Sequence, residues 1–241
     1  ENYLFNHISV EIDQLKRKNT ENGRRYETPD GKLYPSVTTI LSHKTKHFIQ
    51  EWRKRVGAEE ADKISRIASV RGTKIHTLCE DALNNKPEDV SKLSILDQEM
   101  YKNFRPLLDD IDNIRCLEGT LYSDHLRLGG QVDCIAEYKG VPSIIDFKTS
   151  TKERNDSWNE NYYIQGSAYA EMFGERTGIE INQVVILVVT EDGTVQEFIK
   201  NKDKYLPMLE ETVTEWSVQN ETPINAGSNV SDGGLPNNSN I

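Results

Sequence analysis

Cysteine is scarce in this chain, and the three present, Cys79, Cys116 and Cys134, stand far apart with no CxxC pair among 241 residues. That spacing excludes a zinc ribbon, an iron–sulphur cluster and a disulphide framework, and leaves structural thiols. Long apolar runs are also missing. None approaches the roughly 20 residues needed to cross a bilayer, and mean hydropathy is -0.66. No basic stretch followed by an apolar one marks the first residues, so the expectation is a cytoplasmic protein with no membrane partner. Net positive charge is absent too. The formal charge is -10, which on its own disfavours a polyanionic partner.

The distribution of charge qualifies that exclusion. From Lys44 to Lys74 there are nine Lys or Arg against four acids, a local +5 on a remainder of -15. A basic segment on an acidic body suits a focused polyanion groove, and equally a solvated helix face. With 36% hydrophobic residues the chain can bury one sizeable core, and a single domain is the expectation.

Along the chain no internal repeat is evident. "RRYETPDGKLYPS" carries a Pro-Asp-Gly turn between two short Tyr-bearing arms and reads as a hairpin. Ser36 can cap a helix through "VTTILS", and a helical region is predicted from about Phe48 to Leu83, interrupted near Gly57 and Gly72. A further helix is predicted from Ser91 to Asp110, bent or split by Pro106. From Ile114 to Lys148 the period becomes β-like, with a turn at "YKGVP", and "QVVILVVTEDGTVQEFIK" reads as a second strand pair. Between them a helix ends near Gly178. The last 21 residues, from Glu221, include thirteen Asn, Gly, Ser or Pro, a composition expected to stay disordered.

If "GGQVDCIAEYKGVPSIIDFKTS" is a hairpin turning at Lys139 and Gly140, Tyr138 faces Val141 and Asp133 faces Asp146. Opposed residues have Cβ atoms about 4.5 to 5.5 Å apart, and like charges there are destabilising. Lys148 points to the same face as Asp146, because side chains alternate along a strand. One reading is a small surface ion cluster. The other is a divalent cation, Mg2+ or Mn2+, held by both carboxylates and completed by water and substrate phosphate. Val132 and Ile145, on the opposite side of each strand, are expected in the core, fixing the carboxylates.

Asp133, followed by Asp146-Phe147-Lys148 after an aliphatic strand, resembles the PD-(D/E)xK nuclease superfamily. Other pieces occur in the order of its RecB-like exonuclease branch: "RGTKIH" before the sheet, Glu118, "GGQVD", and "QGSAY". "LYPSVTTIL" with the Trp-Arg-Lys segment after it extends the likeness from Tyr34 to Thr190, to a group of RecB-like exonucleases with mitochondrial and phage members. Val132 stands where many superfamily members have proline, and the cluster-binding cysteines of some relatives are missing. The resemblance implies an α/β fold, a central mixed β-sheet flanked by helices (a restriction-endonuclease-like core) with an N-terminal helical segment. It is read as one nuclease domain over residues 1–220: a hairpin and helical region over 1–112, the sheet core over 113–200 and a closing helix over 201–220.

By the same resemblance His76, Asp133, Asp146 and the Phe147 carbonyl hold Mg2+ or Mn2+. Lys148 positions or activates water, and Glu118 supports it. Each has a plain alternative: a helical histidine is more often structural, and Glu118 can be a solvated strand residue. Gln165 and Tyr169, one helical turn apart, reach one phosphate or base, or pack along the helix. The implied partner is DNA, single-stranded in the main reading. Ser36 and Thr38 at a helix start, Trp52 as a stacking platform or core residue, and Arg53, Arg71 and Lys74 as phosphate contacts complete the expected substrate-binding set. The expected activity is metal-dependent hydrolysis of phosphodiester bonds from single-stranded ends. A structure-specific endonuclease and a non-catalytic DNA-end binding module stay open beside it.

Overall fold

The computed structural model describes residues 4–220. The tail expected to be disordered lies outside them. In chain order the strands are β1 (Lys16–Thr20), β2 (Gly23–Glu27) and β3 (Leu33–Pro35), followed by helices α1 (Val37–Val56), α2 (Ala58–Leu83) and α3 (Ile95–Phe104). Strands β4 (Ile111–Ser123), β5 (Leu128–Tyr138) and β6 (Val141–Ser150) precede α4 (Glu160–Thr177), and β7 (Gln183–Thr190), β8 (Val195–Asn201) and α5 (Leu206–Asn220) close the chain.

β4 to β8 form one sheet in sequence order, antiparallel except for the parallel pair β6 and β7. A parallel pair needs a long crossover, and α4 supplies it. Apolar residues lie on both faces of the sheet, which explains why β6 and β7 read as continuous aliphatic runs instead of alternating ones. Ile144, Val184, Ile186 and Val188 pack with α1, α4 and α5, whereas Ile145, Val185, Leu187 and Val189 pack with α2 and α3. The architecture is therefore α/β, a five-stranded mixed sheet between two helical layers. β1, β2 and β3 make a separate small antiparallel sheet.

Local signals account for many boundaries. Ser36 caps α1, its hydroxyl accepting from the Thr39 amide at 3.0 Å. Gly178 closes α4 at φ 73°, a conformation that glycine adopts without penalty. The predicted hairpin at residues 24–36 is present as β2 and β3, with Arg25 opposite Pro35. The turn at Lys139 and Gly140 sets Tyr138 opposite Val141 as expected.

Other boundaries differ. The helix starting at Ser36 runs unbroken to Val56, and Gly57 at φ 88° separates α1 from α2 as predicted. Gly72 does not interrupt α2. One helical glycine costs only about 1 kcal/mol relative to alanine, and here a Cβ would sit 3.7 Å from Thr149 Oγ1 at the end of β6. The helix expected over Ser91–Asp110 is split in three: a short 3-10 turn at Val90–Lys92, α3, and a 3-10 segment at Arg105–Asp110 that begins where Pro106 follows. β1 is an addition, a strand of exposed residues joined to β2.

Candidate active site

The opposition of Asp133 and Asp146 is replaced by a finer arrangement. Pairing of β5 with β6 runs from Tyr138 and Val141 to Cys134 and Ile145 and stops there. At the next step the Asp133 carboxylate takes the place of a ladder acceptor, Oδ2 accepting from the Phe147 amide at 3.0 Å. The alternation of β5 breaks at the same point: Val132 packs in the α4-side core, whereas Cys134, two residues on, packs against α2 and α3. Val132 and Ile145 are both buried as expected, on opposite faces of the sheet.

Across from Asp133, β4 is distorted too. Leu117 pairs with Cys134 and Gly119 with Val132, and Glu118 between them adopts φ 50°, a left-handed conformation that costs a non-glycine residue about 1 kcal/mol. Gln131 steadies it, Nε2 donating to Glu118 Oε2 at 2.9 Å and to the Glu118 carbonyl at 3.2 Å. Glu118 is thereby turned toward α2, where His76 waits one layer above the sheet. His76 Nδ1 lies 3.9 Å from Glu118 Oε1, and His76 Nε2 lies 3.6 Å from Asp133 Oδ2 and 2.5 Å from the Phe147 carbonyl oxygen. His76, Glu118 and Asp133 each offer a ligand atom within 4.8 Å of the others.

Asp146 stands beside this triad and faces Lys148. Lys148 Nζ donates to Asp146 Oδ1 at 2.7 Å and lies at 2.7 Å from Oδ2. Oδ2 is sealed from solvent and, among the described residues, takes no hydrogen bond. Burying a carboxylate oxygen is costly unless a cation completes it, and here the Lys148 ammonium stands beside it. One imidazole nitrogen and several carboxylate oxygens, with the Phe147 carbonyl adjacent, form a mostly oxygen donor set that fits a hard divalent cation.

Burial acts to lower the His76 pKa, but the Glu118 hydrogen bond and the Asp133 charge outweigh it and lift the pKa to about 9. Burial drives Asp146 up against the pull of Lys148, and Asp133 adds to the rise, to about 6. Burial would lower Lys148, yet Asp146 and Asp133 hold it above the ordinary lysine value. The lysine is thus a cation throughout the neutral range.

A cleft of about 510 Å3 opens onto the group, lined by His76, Glu118, Gln131, Phe147, Lys148 and, from the small sheet, Arg17. The expected substrate-binding residues do not converge on it. Tyr169 is buried in the α4-side core against Gly130, where a Cβ would come within 2.4 Å of its ring, and Gln165 donates to its hydroxyl at 2.9 Å. Ser36 is buried as the α1 cap and bonded to Thr38, which is exposed. Trp52 is half-buried on α1, and Arg53 pairs with Asp62 across the bend at 2.6 Å. Arg71 is held by Asp97 at 2.7 Å and by Glu191, and Lys74 lies 3.8 Å from Asp97. Sequence reasoning passed over Gln131, Arg17 and Tyr162, whose ring lies 4.9 Å from Lys148 Nζ and 5.2 Å from the Arg154 guanidinium. The "GGQVD" run held the clue to Gln131, two residues before Asp133; the others carry no local signal.

A helical histidine over a mixed sheet, an aspartate on one central strand and Asp-Phe-Lys at the end of the next match the pattern of the PD-(D/E)xK nucleases, and the relatives found support a nuclease of that RecB-like type. In sequence it is similar to mitochondrial genome maintenance exonuclease 1. It is 28% identical to the Homo sapiens protein over 133 residues, 51% of this chain and 38% of that one. It is 25% identical to the Xenopus tropicalis protein over 176 residues, 66% of this chain and 49% of that one. The chain spans less than half the length of these curated relatives. No family model matches it. Among solved structures, a candidate exonuclease from Eubacterium rectale aligns with TM-score 0.44 and 16% identity over 64% of this chain and 67% of that one.

Proposed function

We propose that the chain is a Mg2+- or Mn2+-dependent deoxyribonuclease that hydrolyses phosphodiester bonds from single-stranded DNA ends. The observation that carries the reading is the His76, Glu118 and Asp133 set, with ligand atoms within 4.8 Å, next to the buried Asp146–Lys148 pair. His76, Asp133, Asp146 and the Phe147 carbonyl would hold the cation, with Glu118 as a further carboxylate. Such an ion, when bound, acts as a Lewis acid on the phosphoryl oxygens.

The protein's own groups divide the remaining work. Lys148, kept protonated by two carboxylates, orients an attacking water and offsets charge on the phosphate; its raised pKa favours this role over proton abstraction. Asp133, hydrogen-bonded to the Phe147 amide, holds the two strand ends in register so that the donors keep their spacing. Gln131 keeps Glu118 directed at His76. A DNA substrate is supported by the relatives named as genome maintenance exonucleases and by the basic segment from Lys44 to Lys74; the choice of single strands is part of the proposal.

The test is digestion of labelled linear and circular single-stranded DNA, side by side, in Mg2+, Mn2+ and a chelator. Metal-dependent loss of the linear strand with the circle intact is expected. Cutting of the circle would replace the exonuclease reading with an endonuclease one, and no cutting of either with retained binding would favour a non-catalytic module.

A further inference from the structure

We infer that Arg17 is a phosphate-binding residue that holds the substrate backbone over the cleft from the side opposite the sheet. The inference rests on the reading of the site as one that cleaves phosphodiesters.

β1 is the outer strand of the small sheet and, among the described residues, pairs with β2 alone. Arg17 stands directly opposite Tyr26 in that pairing, and directly opposed residues share a face. Tyr26 is buried against Leu15 and Tyr122, with its ring against Gly129 of β5. Arg17 therefore projects on the side of the small sheet that meets the body. Lys16 and Lys18 project on the other, where Lys18 pairs with Glu27 at 3.0 Å.

Arg17 lines the same cleft as His76, Glu118 and Lys148. The charges around that cleft are mostly negative, with Glu80 and Glu118 in its wall and Asp133 and Asp146 behind it. Lys148 is committed to Asp146 at 2.7 Å. Arg17 is exposed, and among the described residues no carboxylate lies within ion-pair distance of it. An anionic backbone entering such a cleft needs a cation that is not already neutralised. A guanidinium supplies it in the planar fork that matches two phosphate oxygens. Because Arg17 comes from a different sheet from the metal-ligating set, it grips the strand beside the reacting phosphate and acts on binding and register more than on the bond-breaking step.

Full-length Arg17→Ala, Arg17→Lys and Lys18→Ala proteins, checked for folding by circular dichroism, are compared with the unsubstituted protein. Binding of a labelled single-stranded oligonucleotide is followed by anisotropy in Ca2+ over a salt series, and cleavage kinetics are followed in Mn2+. Arg17→Ala is expected to weaken binding about tenfold and to flatten the slope of log Kd against log salt by about one. It should raise KM with kcat within about threefold of the parent, by the logic of lost uniform binding. Arg17→Lys should restore the salt slope and some of the affinity. Lys18→Ala should leave both unchanged. Unaltered binding by Arg17→Ala, an equal loss in Lys18→Ala, or no oligonucleotide binding by the unsubstituted protein overturns the inference. Selective loss in Arg17→Ala with no cleavage by any protein would uphold this inference and remove the proposed activity. Cleavage that is indifferent to Arg17 does the reverse.

Discussion

Lys148 and Asp146 are two residues apart on one strand and bonded at 2.7 Å, with the Asp146 carboxylate buried, so each sets the charge of the other. Replacing either by alanine is expected to abolish cleavage, a loss of at least about a thousandfold, while oligonucleotide binding measured by anisotropy survives. Turnover retained by either purified variant removes the assignment. His76 gives a second prediction. Its folded pKa near 9 stands above the ordinary value of about 6.5. In the metal-free protein its contribution to stability is complete below about 6.5 and fades as pH rises through 9. Cation binding needs the neutral imidazole and must expel that proton. Titration with Mn2+ should therefore show affinity rising by up to about tenfold per unit between pH 7 and 9, with proton release that depends on buffer in calorimetry. An affinity flat over that range counts against His76 as a ligand.

At the scale of elements, the site depends on how closely helices approach the sheet. α4 meets β7 at Gly166, where a Cβ would fall 2.4 Å from Val184 Cγ1. Gly166→Ala should force the helix outward and cost about 1 to 3 kcal/mol of overpacking, seen as a lower denaturant midpoint with an unchanged slope. α2 is tied to α3 and to the turn after β7 by Arg71, which bonds to Asp97 and Glu191. Arg71→Ala strands the buried Asp97 carboxylate and should cost roughly 2 to 4 kcal/mol. A loss of DNA affinity with no loss of stability would return Arg71 to the substrate-binding set. Burial raises the Asp97 pKa, but bonds from Arg71 and Ser94 outweigh it and the net shift is downward. Its stabilisation is therefore present in full above the ordinary carboxyl value of about 4 and is lost as pH falls through its lowered one.

For the whole molecule, a net charge of -10 would confine attraction for the proposed DNA substrate to the cleft and the basic segment and repel it elsewhere. The proposed exonuclease activity should fall steeply between about 50 and 200 mM salt, and a flat profile in that range would argue against a phosphate-binding groove. The basic count over Lys44–Lys74 was legible in the sequence, but its meaning was not. Lys44, Arg53, Lys54, Lys63, Arg71 and Lys74 each have a carboxylate within 3.8 Å, which leaves less of that charge free for phosphate. Glu191, a partner of Arg71, lies 120 residues further along the chain. β1 escaped notice for a related reason: "KRKNT" is exposed throughout, so no apolar alternation marks it.

What the sequence by itself determined is what short-range chemistry decides. The turn at Lys139 and Gly140, the Ser36 cap, the Gly178 stop and the aliphatic runs of β6 and β7 follow from local dihedral preference and from the need to bury apolar surface. Only the tertiary structure decided which carboxylates meet. Tight-turn register predicted Asp133 opposite Asp146. The distorted backbone at Glu118, the ladder bond taken over by Asp133 and the docking of α2 placed Glu118 and His76 beside Asp133, and left Asp146 with Lys148. The contacts of Glu118 and His76 with Asp133 join residues apart in the chain, and their energies come from packing and desolvation, which have no periodicity to read.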